Sequence, residues 1–418
     1  MLGMWSPQPH HDALPKKNRI RNAGHLKFEG AGGEQDEEQR KKWRLTASRA
    51  GCIFAHLVKI TAGLLTYDSF IHAMEHVYGP FKTLTPDLAR SWKPPRLPGC
   101  HLGRYLWTDA FGILNFLTLH QTTQDPKYLS FSLSLVHSVH DILGRTRNGK
   151  SRLPGATDDN PLGGGLRIGK LKDAGPDADG QCHRCLTLWL FALNRVAMAS
   201  GDNAYNDLAI SLVRAIHQHF FLNRTMQPHL VSKMAVDMSR PLVASQRSLD
   251  PVAGYMMCRL LQATAQKGPI LAVEVSDYKR VMNLNALFVS NDTLDIGMGL
   301  WISHWYEGVK PWAEHLGQMC LQNLDSIFNE EHYTERSLKY RLPFHEFGAI
   351  MGVKCYRHDE YLQARVDLIL SMWEPHLDEM TEDLMPITLV MYAAALIATA
   401  FQKNGLRPEI PYEDPGRA

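Results

Sequence analysis

Five short strings gather acids, histidines, arginines and tryptophans just ahead of long apolar runs. HLGRYLWTDAFG carries His101, Arg104, Trp107 and Asp109, and DADGQCHRC carries Asp177, Asp179, Gln181, His183 and Arg184. RSLDP holds Arg247, Ser248 and Asp250, LDIGMG holds Asp295, and RLPFHEF holds Arg341, His345 and Glu346. Hydrolysis of a glycosidic bond needs two carboxyl groups facing each other across a sugar, one protonated as acid and one ionised as base or nucleophile. Asp109 and Asp179 are the first pair the sequence offers, with His183 as the third catalytic candidate. Epimerisation beside a carbonyl needs histidine or carboxylate groups on both faces of the substrate, for which His183 and His345 are available. Trp107 could stack on a sugar ring. His101, Arg104, Arg184, Asp250, Trp301, Arg341, His345 and Glu346 complete the expected substrate-binding set.

Each of these residues also has a plainer use. An aspartate near a helix start caps free N–H groups and meets the positive end of the dipole, which covers Asp109, Asp250 and Asp295. Arg104 with Asp109, and Arg341 with Glu346, have the spacing of ion pairs, and Trp107, Trp189, Trp301 and Trp305 have the spacing of core aromatics. What favours chemistry is recurrence: the same residue types stand at the same end of several apolar segments, and a ring of such segments would bring those ends to one mouth.

Three further motifs are set aside. GGLRIGK, residues 164–170, resembles a phosphate-binding loop, but Leu171 replaces the Ser or Thr that would hold magnesium and no strand precedes it. It is expected to be a Gly-rich loop over the mouth, with Arg167 or Lys170 within reach of a substrate, and no nucleotide cofactor is expected. Cys182 and Cys185 form a CxxC without a second pair at zinc spacing, so they are read as two small thiols on a buried helix and no metal is expected. Asp158 and Asp159 read as a turn, with an acidic loop near the mouth that could bind a cation as the alternative.

The elements that would position these groups repeat after Pro98. Segments apolar nearly all round begin near Tyr105, Cys182, Asp250, Asp295, His345 and Leu384. Amphipathic segments lie between them, near 127–143, 205–221, 275–289, 312–328 and 361–373, which is the pattern of an inner ring wrapped by an outer one. The expected fold is all-α: an α/α toroid of six helical hairpins over residues 98–410, with two stacked helical bundles as the alternative. A sixth outer helix is missing at the C-terminal end, and the helix within 47–78 could supply it. Residues 47–97 are read as that N-terminal helix, or helices, and a Pro-rich connector through Pro80, Pro86, Pro94, Pro95 and Pro98. Residues 1–46, dense in charge and without an apolar period, are read as a disordered arm. No run of period-2 alternation competes with the helical pattern.

Composition narrows the partners. The 418 residues are 44% hydrophobic and 21% charged, ample for a large core, and 45 Lys plus Arg against 43 Asp plus Glu leave a net charge of only +2. No global field recruits nucleic acid or an anionic membrane. The apolar stretches are shorter than the roughly 20 residues that span a bilayer, and the N-terminal sequence lacks the apolar core of a signal peptide. Seven scattered cysteines fit reduced thiols, so a cytoplasmic location is expected.

The strings GRYLWTDAFG, LRIGK, DGQCHRCLTLWLFAL, LDIGMGLWISHW and RLPFHEFG resemble an uncharacterised family of fungal, plant and bacterial proteins grouped with the six-hairpin glycosidase-like proteins. The resemblance covers residues 101–400 and implies a six-hairpin toroid of the kind found in glycoside hydrolases and sugar 2-epimerases. The reading reached is a carbohydrate-active protein, either a glycosidase-like hydrolase or an epimerase-like isomerase, with a small-molecule substrate of the sugar class in a funnel. Two alternatives stand beside it: a non-catalytic scaffold or ligand-binding protein, and a tailoring enzyme of fungal secondary metabolism acting on a non-sugar, for which Met298, Trp301 and Phe344 would line the funnel.

Overall fold

A helix that is apolar on every side must be covered on every side, and the segments with that composition are buried all round. In α3 (Leu106–Thr123) every residue from Leu106 to Leu119 is buried. The same holds from Cys185 to Ala197 in α5 (His183–Ser200) and from Thr388 to Leu396 in α13 (Met385–Leu396). With α7 (Asp250–Ala265), α9 (Thr293–Ser303) and α11 (Pro343–Tyr356) they form an inner ring, each helix against the next and α13 back against α3. The computed structural model describes residues 63–407 apart from 176, 225, 267, 286, 331–332 and 358–359. The expected arm over 1–46, and the start of the 47–97 segment, lie outside the described residues.

The amphipathic segments wrap this ring. In α4 (Pro126–Leu143) the buried stripe is Tyr128, Phe131, Ser132, Leu135, Val136, Val139 and Leu143, the i, i+3, i+4 spacing of one face. The helices α6 (Ala204–Phe220), α8 (Ala272–Leu284), α10 (Pro311–Asn329) and α12 (Glu360–Trp373) pack on α5, α7, α9 and α11 in the same way. The remaining outer place, between α13 and α3, is taken by α1, described over 63–78. Its Tyr78 ring lies 5.4 Å from Phe116, Asn115 Nδ2 reaches Met74 Sδ at 3.3 Å, and Ser69 is a hydrogen-bond partner of Tyr392. The described residues thus form an α/α toroid of six hairpins. A short α2 (Pro86–Ser91) packs on α4.

One crossing is set by glycine. A Cβ on Gly297 of α9 would stand 2.1 Å from the carbonyl of Gly348 in α11, and one on Gly352 would stand 2.1 Å from the carbonyl of Gly297. The two backbones therefore touch, which only residues without side chains permit.

The C-terminal end of the ring is plugged. After α13 the chain turns through Thr399–Phe401, and Phe401 packs 5.1 Å from Phe111 and 6.3 Å from Phe191. Its carbonyl accepts from Trp301 Nε1 at 3.0 Å, and Trp301 meets Phe191 edge-on at 4.8 Å.

Short strands were not expected from the sequence, and they occur at the N-terminal end of the ring. Gln181–Cys182 (β1) pairs antiparallel with Lys233–Met234 (β4), which pairs with Pro241–Val243 (β5); Phe221–Leu222 (β2) pairs with His229–Leu230 (β3). Runs of two or three residues are too short for alternation to register. They fold the α6–α7 connection back beside the start of α5. Among the described residues no helix is long and apolar enough to cross a membrane.

Candidate functional site

The first turns of the inner helices converge with their unpaired N–H groups and their polar residues. Trp107 and Arg184 are the second residues of α3 and α5, Asp250 opens α7, Asp295 is the third residue of α9, and His345 the third of α11. Arg184 joins three of these helices. Its guanidinium lies 5.5 Å over the Trp107 ring and Nη1 donates to Asp295 Oδ1 at 2.8 Å, while Nη2, though buried, has no hydrogen-bond partner among the described residues. The second oxygen of Asp295 accepts from Ser290 at 2.7 Å.

Asp250 is the most unusual acid of this mouth. Its side chain is 3% exposed, and Oδ2 is buried without a partner among the described residues. Burial first, and then the nearby Cys182, push its pKa up to about 7 against the opposing charges of Arg184 and Arg247. A carboxyl group that keeps its proton near neutrality is suited to general acid work. Behind it stands His183, whose Nε2 meets the Tyr278 hydroxyl at 2.8 Å; burial, then His217, hold its pKa down to about 3, so the ring is neutral. Tyr278 is fixed by fit, since a Cβ on Gly254 of α7 would lie 2.3 Å from its ring.

Asp292, which the sequence reading passed over, belongs to the same rim. It is the N-cap of α9 and accepts from the amides of Leu294 and Asp295, and its Oδ2 meets His345 Nδ1 at 2.7 Å. Burial opposes its charge, but the His345 hydrogen bond and those amides outweigh it and leave its pKa below the ordinary carboxylate range. The capping signature of an Asp just ahead of TLDIGMG was the available signal.

The structure places the other expected residues elsewhere. Asp109 is fully buried, with Oδ1 taken by Arg104 at 3.2 Å and Tyr78 at 3.2 Å and Oδ2 by the Tyr105 amide at 3.3 Å. Burial raises its pKa to about 6, with Arg104 opposing. Asp179 accepts from the amides of Gly169, Lys170 and Gly180 on Oδ1, and from Arg147 at 2.8 Å and Arg167 at 3.0 Å on Oδ2. The anion cradle of the Gly-rich loop is thus filled by the chain's own carboxylate. Asp109 and Asp179 share none of these partners, and every oxygen of both is engaged, so they do not present themselves as a facing pair.

Arg341 and Glu346 form a fully buried two-pronged pair at 2.8 and 2.5 Å, and Trp373 Nε1 adds a donor at 2.9 Å. Trp301 lies six residues beyond Asp295, about 9 Å along the helix at 1.5 Å per residue, among the floor aromatics. His101 sits over the Gly-rich loop, its amide donating to Gly169; burial, then Arg167 and Arg147, lower its pKa, and Nδ1 has no partner among the described residues. Of the expected set, Trp107, His183, Arg184, Asp250 and His345 come to the mouth. Cys182, read as lying on a buried helix, is instead the partly buried N-cap of α5. Among the described residues no cluster of three or more His, Cys, Asp or Glu could hold a metal ion.

No family model and no curated protein matches this sequence. Among solved structures, a family 76 glycoside hydrolase from a bovine Bacteroides thetaiotaomicron strain is similar over 79% of this chain and 76% of its own, with a TM-score of 0.51 at 11% identity. A GH76 α-mannanase from Bacteroides thetaiotaomicron aligns over 70% of this chain and 86% of its own, with a TM-score of 0.44 at 10% identity. At such identity the likeness to the first is one of fold, the toroid of the six-hairpin glycosidases.

Proposed function

We propose that this chain is a carbohydrate-active protein whose substrate enters the N-terminal mouth of the inner helix ring, with Asp250 as the acid and Asp295 as the carboxylate of the site. The observation that carries this reading is the contrast between two acids opening neighbouring helices. Asp250 is buried, uncharged near neutrality and one hydrogen bond short, whereas Asp295 is ion-paired with Arg184. A buried acid that keeps its proton, opposite a second carboxyl group, is what glycosidic bond cleavage requires. Trp107, buried beneath the Arg184 guanidinium, fixes that arginine where a sugar hydroxyl would meet it. The fold neighbour being a glycoside hydrolase agrees with this reading.

A second reading has its own support. Asp109, Asp179 and Glu346 are wholly engaged in caps and ion pairs, as in a ligand-binding scaffold that keeps the toroid without a second free acid. Thermal unfolding of the full chain against a panel of sugars, sugar phosphates and oligosaccharides separates the two. A ligand at about 100 times its dissociation constant adds roughly 2.7 kcal/mol, a shift of a few degrees. A sugar that shifts the wild type and is consumed, with turnover lost in Asp250→Asn while binding persists, supports the enzyme. Binding without turnover moves the assignment to the scaffold, and no shift with any sugar removes carbohydrate from both.

A further inference from the structure

The thiols of Cys182 and Cys185 take no part in the chemistry proposed above, yet their placement has its own logic. Cys182 precedes α5 in extended backbone, φ −107° and ψ 126°, paired across the small sheet with Lys233, and Cys185 is the third residue of the helix. One sulfur therefore stands at the positive end of an 18-residue helix and the other one turn inside it. Cys182 is partly buried, whereas Cys185 is only 8% exposed. The charges facing the pair are Arg184 on its own helix, Arg247 ahead of α7, Lys233 across the sheet and Asp250; Tyr105 also faces it. The Cys185 thiol beside it, then Arg247 and Arg184, favour the Cys182 thiolate and outweigh burial, while Cys182 and burial push the Cys185 thiol up. Elsewhere burial raises Cys100 and Cys320 to about 12 and Cys258 and Cys355 further.

A second observation points the same way. Asp250, 3% exposed and close enough to Cys182 for their charges to interact, has one oxygen without a partner among the described residues. The unmet oxygen leaves a polar atom open beside the two thiols, where the polar groups of an incoming disulfide can be met.

We infer that Cys182 and Cys185 are a redox-active dithiol that exchanges with small disulfides of the glutathione type at the mouth of the ring, with Cys182 attacking and Cys185 resolving. The Cys182 thiolate attacks one sulfur of the external disulfide. That S–S bond breaks, the first external thiolate leaves and takes up the proton Cys182 gave to solvent, and a mixed disulfide on Cys182 remains. Cys185 gives its proton to solvent and attacks the Cys182 sulfur. The second external thiolate leaves and is protonated in turn, so two protein thiols are oxidised as one external disulfide is reduced to two thiols. This chemistry does not depend on what the mouth binds.

The test equilibrates the full chain in mixtures of reduced and oxidised glutathione, then acid-quenches, alkylates the remaining thiols and maps them by peptide mass spectrometry. The peptide with Cys182 and Cys185 is expected to lose both alkylation sites together, while Cys100, Cys258, Cys320 and Cys355 stay alkylated. Cys185→Ser is expected to stop with one glutathione on Cys182, and Cys182→Ser to remain unmodified. A peptide that stays doubly alkylated in the most oxidising mixture, or glutathione collecting on Cys182→Ser as readily as on wild type, overturns the proposal. Should either variant fail to fold, alkylation rates of the native wild type decide. Cys182 is expected to react at least about tenfold faster than Cys100 at pH 7, and equal rates overturn the proposal.

Discussion

Oδ1 of Asp250 stands 3.9 Å from Nδ1 of His183, too far for a hydrogen bond, while the Tyr278 hydroxyl holds the other nitrogen of that ring at 2.8 Å. The histidine is thus fixed from behind, and the acid in front of it is left with an unmet oxygen. A mouth built for stability alone would give Oδ2 a donor, because a buried acceptor left with such a gap costs about 1–3 kcal/mol.

The gap makes Asp250→Asn informative. Burial raises the folded pKa of Asp250 from 3.8 to about 7. A carboxyl group raised in this way contributes stability that is fully present below pH 3.8 and is lost as pH rises through about 7. Three units correspond to roughly 4 kcal/mol at most. The amide variant escapes this loss, so it should be more stable than wild type at pH 8 by up to a few kcal/mol, with the gain shrinking toward pH 4.5. Urea unfolding at the two pH values is the check; a difference that does not change with pH would rule out a buried, uncharged acid.

Tyr278 carries two separable functions, the hydrogen bond to His183 and the ring that fills the space beside Gly254. Tyr278→Phe keeps the ring and strands a buried imidazole nitrogen, for an expected loss of about 1–3 kcal/mol with the fold intact. Gly254→Ala attacks the fit, with a Cβ 2.3 Å from that ring, and should cost more than Tyr278→Phe. Denaturant midpoints of the two variants give the order directly. The reverse order would mean that the helices yield at this crossing.

The architecture was legible because apolar residues on every side of α3, α5 and α13 leave no alternative to burial, and the stripe on α4 leaves one face for solvent. The sheets beside α5 were not, since β1 and β4 are two residues each and their pairing is decided by the path of the α6–α7 connection. The polar strings mark the N-terminal end of the ring but do not rank the acids within it. Asp109 and Asp250 both stand in the first turn of apolar helices, and what separates them is whether donors arrive from elsewhere. Arg104 and Tyr78 reach Asp109, whereas the nearest imidazole nitrogen stops short of Asp250. Such convergence is a property of the packed ring and leaves no trace in spacing.

Gly297 tests the ring itself. A methyl group there would sit 2.1 Å from the Gly348 carbonyl, with backbone rather than a movable side chain in the way. Gly297→Ala gains helix propensity of about 1 kcal/mol, yet must part α9 from α11, so a net loss of more than about 2 kcal/mol is expected. Thermal unfolding that leaves the midpoint unchanged would show that the two backbones do not touch.

Asp179 holds the Gly-rich loop in place, and its removal should open that loop rather than remove chemistry. Its side chain is fully buried and gathers three backbone amides and two guanidinium groups, those of Arg147 and Arg167. In Asp179→Asn one oxygen becomes an NH2 group that faces donors, and the wholly buried Arg167 loses its counter-charge. Breaking a buried pair by removing one partner costs about 3–5 kcal/mol. Local opening is then expected at Lys170 and Lys172, where trypsin can cut, before the ring unfolds. Asp177 provides the control: it pairs with the same two lysines but is 60% exposed, so Asp177→Asn should change stability by less than about 0.5 kcal/mol. Limited trypsin digestion of the two variants beside wild type reads both effects. Equal cleavage in all three would mean that Asp179 does not hold the loop and would return it to the list of acids available to a substrate.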